Sequence, residues 1–227
     1  MSGIPKKANP DASQDKPSQG QGRYAAGEDP VKREQILDGA KSVFMRLGFD
    51  AASMNDVTRE AGVSKGTVYV YFSSKEELFA ALINREKSLF SMKLRDVIAE
   101  SNDVADALYQ FGITFVTQMT GTGMVPAMRT LLGVIDRMPG LCKNFFAASP
   151  INAVTVLIEF FNRPDVKARL DIDDRELAAR QFIDACSATF FKSRLLDEIL
   201  ATPPDKEVHR YVSRAVDMFM RFYTRKP

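Results

Sequence analysis

The chain is predicted to be all-α, and three features carry that prediction. From Asp29 onward, apolar residues recur at spacings of three and four, which places them on one face of a helix. Residues that cap or stop helices stand at the ends of those runs. No run alternates apolar and polar residues as a half-buried strand would, and no segment repeats.

Each element follows from its own residues. Asp29 can cap a first helix with Pro30 at its first position. Ile36, Leu37, Ala40, Val43, Phe44 and Leu47 form its stripe, and Gly48 is expected to stop it. Ser53, with Asp56 three residues on, opens a short second helix carrying Met54, Val57 and Ala61, which stops at Gly62. Ser64 is placed to cap a third helix running to about Tyr71. Ser73 and Ser74, followed by Glu76 and Glu77, start a long fourth helix near Lys75 that keeps its stripe to about Glu100. Further helices are expected from about Asp103 to Met119, from Met124 to Met138, and around Leu141, Phe145 and Phe146. Pro150 then kinks the path. A stripe continues through Val154, Leu157, Ile158 and Phe161. One helix begins near Asp173 and runs towards Leu196; the last follows Pro203-Pro204, with Asp205 as its cap.

Residues 1–28 are rich in Gly, Ser, Pro, Gln and Lys and nearly empty of large apolar side chains. Such a composition does not repay the entropy of ordering, so a disordered tail is expected. Its Lys6, Lys7, Lys16 and Arg23 would also suit an arm reaching into a DNA minor groove. The organisation read from the sequence is therefore a tail over 1–28, a small helical domain over 29–75 and a larger helical domain over 76–227.

Composition removes several function classes. The chain has 227 residues, 45% hydrophobic and 26% charged, enough to bury a core unaided. No apolar stretch approaches the length of a membrane span, and the N-terminus lacks the apolar segment of a secretory signal. A cytoplasmic protein without membrane contact is expected. Two cysteines, Cys142 and Cys186, and one histidine, His209, cannot supply a zinc quartet, so no metal and no cofactor is expected. Thirty-one basic against twenty-nine acidic residues leave the question of nucleic acid to their distribution.

That distribution points to residues 53–75. Two short helices joined by a tight Gly-containing turn make a helix-turn-helix, whose second helix reads the major groove. Ser64, Lys65, Gly66 and Thr67 stand at the start of that second helix, where backbone N–H groups and the dipole favour a phosphate. Lys65 adds a full charge, and Gly66 removes a side chain that would hold the backbone off. Tyr69 and Tyr71 have apolar rings with polar tips, able to reach a phosphate or a base edge. Lys75 repeats the charge at the next helix start.

Over residues 33–78 the sequence resembles the TetR family of bacterial transcriptional regulators. The matching residues are Arg33, Ile36, Leu37, Ala40, Phe44 and Gly48, then AGVSKGTVYVYF from Ala61 to Phe72, then Lys75 and Leu78. The resemblance implies a homodimer binding a double-stranded operator. The family's DNA-contacting positions fall on Ser53, Lys65, Gly66, Thr67, Tyr69, Tyr71 and Lys75, and Ser64 joins these candidate contacts through its place at the start of the third helix. It also implies a regulatory C-terminal domain with a ligand cavity, and a dimer face built mostly from the last two helices. The C-terminal half is more weakly similar to the AefR-like subgroup, through Leu132, Pro139, Phe146 and Pro150 and around Ala178 to Phe182.

For the cavity, the Phe- and Met-rich C-terminal half offers Phe111, Phe115, Met119, Met128, Leu132, Phe146 and Phe190 as apolar lining for a small apolar effector. Arg129, and Arg137 near it, could orient an anionic group. The same residues could equally fill a solid core, giving a DNA-binding regulator with no small-molecule effector, controlled by its own concentration or by a protein partner. For assembly, Phe190, Phe191, Leu195, Val212, Val216 and Phe219 are the candidate partner-facing residues. An enzymatic reading exists as well: Gly62 to Gly66 matches the G-x-S-x-G nucleophile elbow. That motif needs a buried strand before it. Here the polar, helical MNDVTREA precedes it, and His209 would be the only histidine base, so no enzyme is expected.

Overall fold

A computed structural model of the chain describes residues 25, 27–101, 103–121, 123–134, 136–137, 140, 152–196 and 202–226. Nearly all of the tail, the helix expected around Phe145 and Phe146, and Cys142 lie outside them. The described residues form ten helices: α1 (Pro30–Ala51), α2 (Met54–Ala61), α3 (Lys65–Tyr71), α4 (Lys75–Ala99), α5 (Val104–Thr120), α6 (Met124–Gly133), α7 (Ala153–Phe161), α8 (Pro164–Arg169), α9 (Arg175–Leu196) and α10 (Asp205–Tyr223). Among the described residues the one β feature is an isolated bridge between Leu170 and Thr224.

The caps read from the sequence form. The Asp29 carboxylate accepts from the N–H groups of Val31 and Lys32. Ser53 and Asp56 make a reciprocal capping box. The Ser74 hydroxyl accepts from the Glu77 N–H, and the Glu77 carboxylate accepts from both the N–H and the hydroxyl of Ser73.

Three boundaries and one additional element differ from expectation. Gly48 takes φ 75° as a helix stop would, yet the helical path resumes to Ala51. The helix expected from Met124 to Met138 ends at Gly133, where the Val134 N–H bonds to Leu131. Asp205 sits in the first turn of α10, and Pro204 holds the cap position. The short α8, begun by Pro164, was not expected from the sequence.

The apolar side chains gather into two clusters. One fills the head: Ile36, Leu37, Val43, Phe44, Val57, Val68, Phe72, Leu78 and Phe79. Edge-on and tilted rings of Phe44, Phe49 and Phe79, with centroids 5.0–5.8 Å apart, fasten α1 to the start of α4. The second cluster fills the body, from the far half of α4 through α5 and α7 to α10. The clusters do not divide the chain at a single point. Met128, Leu131 and Val134, from α6 and its end, belong to the head cluster, and Phe191 and Leu195 of α9 pack on it.

Close approach depends on two glycines. A Cβ on Gly39 would stand 2.7–2.9 Å from atoms of Ala61, so α1 and α2 meet backbone to backbone. A Cβ on Gly112 would strike Val212 at 2.6 Å, where α5 meets α10. Beside it Cys186 is buried, and burial pushes its thiol up to about 12, so it serves as a small apolar residue. No described helix is long and apolar enough to cross a membrane.

Candidate nucleic-acid interface and junction cavity

The turn between α2 and α3 is set by Gly62, at φ 63°, whose N–H closes the end of α2 on Arg59 and Thr58. Left-handed backbone of this kind is where glycine has least to lose. Gln35 of α1 donates to the Ala61 carbonyl at 2.7 Å, fixing α2 to the scaffold. Val68 is fully buried and Phe72 nearly so, and together they pin α3 by its inner face.

Its outer face is open. Ser64, Lys65, Gly66, Tyr69 and Val70 are exposed, and Thr67 is half-buried. The Ser64 hydroxyl accepts from the Thr67 N–H at 3.0 Å and shares a hydrogen with the Thr67 hydroxyl. Nothing but the Ser64 hydroxyl, at 3.8 Å, comes near the place where a Cβ on Gly66 would be. The Lys65 ammonium lies 5.9 Å from the centre of the Tyr69 ring, so the charge and the aromatic share one surface. Ser53 is exposed at the start of α2, though its hydroxyl is spent on Asp56.

Two of the eight predicted contact residues hold other positions. The Tyr71 hydroxyl accepts from the Asp29 N–H, and its ring packs on the head cluster. It braces the start of α1. The Lys75 ammonium donates to the carbonyls of Phe49 at 2.7 Å, Ala52 at 2.9 Å and Asp50 at 3.3 Å, and stands over the Phe49 ring. It closes the end of α1, where carbonyls lack helical partners. A lone sequence motif carries no sign of this, because the acceptors lie more than twenty residues away.

The residues before Gly62 are helical, so the strand that a nucleophile elbow requires is absent there. His209 lies on α10, bonded to the Tyr109 hydroxyl and stacked on its ring.

The predicted pocket residues separate. Phe111 and Phe115 stack on one another inside the body core, with Phe111 packed on Phe182. Phe190 packs edge-on against Tyr211 at 4.8 Å. Leu132 is exposed. Arg129 donates to the carbonyls of Leu195 and Arg194, tying α6 to the end of α9. Arg137 grips Asp50. Phe146 lies outside the described residues. Met119 and Met128 do line a cavity, of about 400 Å³, but it lies between α1, α4, α5 and α6, at the junction of head and body. Its α1 and α4 walls include Phe44, Met45, Leu82 and Phe90; helical spacing places Phe44 on the covered stripe of α1 and carries no sign that it faces a cavity.

A head that presents a helix-turn-helix, joined to an all-helical body, is the architecture of helix-turn-helix transcriptional regulators. Comparison with known proteins makes the assignment specific. Residues 36–82 match the bacterial regulatory proteins of the tetR family, and residues 106–225 match the C-terminal domain of AefR-like transcriptional repressors. The chain belongs to the TetR family of transcriptional regulators. Among curated relatives, the uncharacterized HTH-type transcriptional regulator YfiR of Bacillus subtilis is 50% identical over 52 residues, 23% of this chain and 25% of that protein. The HTH-type transcriptional activator FasR of Mycolicibacterium smegmatis is 36% identical over 72 residues, 32% of this chain and 33% of that one. The chain thus aligns with only a quarter to a third of the length of these relatives. A solved TetR-family regulator from Mesorhizobium loti shares the fold, with a TM-score of 0.79 at 20% identity over 87% of this chain and 99% of that one.

Proposed function

We propose that the chain represses transcription as a homodimer, placing α3 of each protomer in successive major grooves of a pseudo-palindromic operator, and that a small ligand releases it. The observation that carries this is the outer face of α3. Lys65, Gly66, Tyr69 and Val70 are exposed together while Val68 and Phe72 hold the helix from behind. Lys65 and the exposed helix start serve phosphate; Tyr69 and Thr67 face the base edges. Tyr71 and Lys75 act from behind this surface, as braces of the head. Relatives named as repressors, such as BdcR of Escherichia coli, favour repression.

The dimer face in this reading is formed by exposed apolar residues of α9 and α10: Leu177, Met218 and Phe222. Val212, Val216 and Phe219 are buried in the chain's own core. An isologous contact needs residues that the protomer leaves open.

Duplexes selected from a random library by the full-length chain test the reading. On a selected site, Lys65→Ala is expected to weaken binding to all sequences about equally. It should also flatten the dependence of log affinity on log salt by about one. An unchanged slope and affinity, or failure to enrich any half-site repeat, would refute the assignment. The competing reading, a filled body with no effector, is supported by the stacked Phe111 and Phe115 but leaves the junction cavity without a role.

A further inference from the structure

A helix turns by about 100° per residue, so residues two apart lie on nearly opposite sides. Val68 is fully buried, and Val70 therefore points away from the head's core, 54% exposed. The chain leading into α1 runs beside it. A Cβ on Gly27 would stand 3.2 Å from Val70 Cγ1 and 3.4 Å from the Val70 carbonyl oxygen. The isopropyl group thus rests against backbone on one side and is open on the other.

Gly66 lies one turn before Val70 on the same face of α3. The space where its side chain would stand is bounded by the Ser64 hydroxyl, 3.8 Å away. That hydroxyl and the one on Thr67 are 2.8 Å apart and bonded to one another, and the Ser64 oxygen also accepts the Thr67 N–H. The polar groups at this edge are therefore engaged with each other. Lys65 and Tyr69, also one turn apart, form the charged and aromatic flank. What α3 presents between Gly66 and Val70 is a shallow recess with an apolar wall, set in a surface that is otherwise polar.

The floor of the major groove offers one apolar group. Guanine, adenine and cytosine present hydrogen-bonding atoms there, while thymine adds a C5-methyl group to its O4 acceptor. A valine makes no hydrogen bond with a base edge, and it strips water from one to no gain unless a methyl group meets it. We propose that Val70 is a specificity-determining residue: with the recess beside Gly66 it receives the C5-methyl group of a thymine, so each operator half-site carries a T·A pair where this part of α3 meets the groove. The proposal rests on the reading of α3 as the helix that enters the major groove.

Duplexes selected from a random library by the full-length chain test it without altering the protein. Each half-site should hold a thymine whose replacement by deoxyuridine, which removes the methyl group and no hydrogen-bonding atom, weakens binding. Burial of one methyl group sets the size of the loss, about fourfold for one half-site and about fifteenfold for both. Val70→Ala should melt near wild type, since the side chain is open, and should bind thymine and deoxyuridine duplexes within twofold of each other. With a C·G pair at the same position, 5-methylcytosine should bind more tightly than cytosine to the wild-type chain and equally to Val70→Ala. A selected duplex bound equally with thymine or deoxyuridine at every half-site position overturns the methyl contact and leaves the regulator reading standing. A deoxyuridine loss of full size in folded Val70→Ala gives the methyl group to another side chain and overturns the proposal as well. Failure to enrich any half-site refutes the regulator reading, and the proposal with it.

Discussion

Arg137 closes a two-pronged ion pair on Asp50, with Nη1 to Oδ1 at 2.7 Å and Nη2 to Oδ2 at 3.0 Å. Asp50 lies in the last turn of α1, and Arg137 follows the end of α6. The pair therefore ties the DNA-facing head to the element that forms one wall of the junction cavity.

The hydrogen bond from Arg137 holds the Asp50 carboxyl below its ordinary value of 3.8. A carboxyl depressed in this way stabilises the fold above that value, and the stabilisation is lost as pH falls through the lowered one. Arg137→Ala is expected to lower the melting temperature slightly at pH 7. The difference from wild type should shrink below about pH 4, and in high salt, since both groups are open to water. Asp50→Asn combined with Arg137→Ala should be no worse than either alone. A gap that does not begin to shrink as pH falls below 3.8 would refute the coupling.

Lys75→Met separates bracing from phosphate contact. Hydrogen bonds from a charged group to carbonyls contribute about 2 kcal/mol, so urea unfolding should register a loss of that order. The salt slope of DNA binding by the folded variant should stay at the wild-type value. A slope lowered by one with stability intact would return Lys75 to the phosphate surface.

Gly39 and Gly66 should respond oppositely to alanine. At Gly39 the new methyl meets the Ala61 backbone, which cannot withdraw as a side chain can. A loss of about 1–3 kcal/mol is expected from thermal melting. At Gly66 the methyl meets open space, and alanine favours the helix by up to about 1 kcal/mol. That variant should melt no lower than wild type and bind the selected duplex more weakly, because the backbone can no longer approach it.

Met218→Glu together with Phe222→Glu should give a folded monomer by sedimentation, since both side chains project from α10 into solvent. Val216→Glu, in contrast, should unfold the body, because it buries a charge without a partner. A dimer that survives the paired change would place the interface elsewhere.

The head was legible in the sequence because its information is local. Ser53 reaches Asp56, Ser64 reaches Thr67 and Ser74 reaches Glu77, each within three residues, so spacing alone specifies the caps and the turn at Gly62. The exposed face of α3 follows from burying Val68. What the tertiary structure decided was which side chains that look alike in a helical stripe end up with different neighbours. Phe111 and Met128 both recur at helical spacing, yet one is sealed in the body core and the other lines the junction cavity. Lys65 and Lys75 both open helices, yet one stands over Tyr69 at the surface and the other is held by the carbonyls that end α1. A period of 3.6 residues tells which face is covered. What covers it depends on contacts made across the chain, such as Lys75 with Phe49 or Arg137 with Asp50, and those exist only once α1, α4 and α6 have packed.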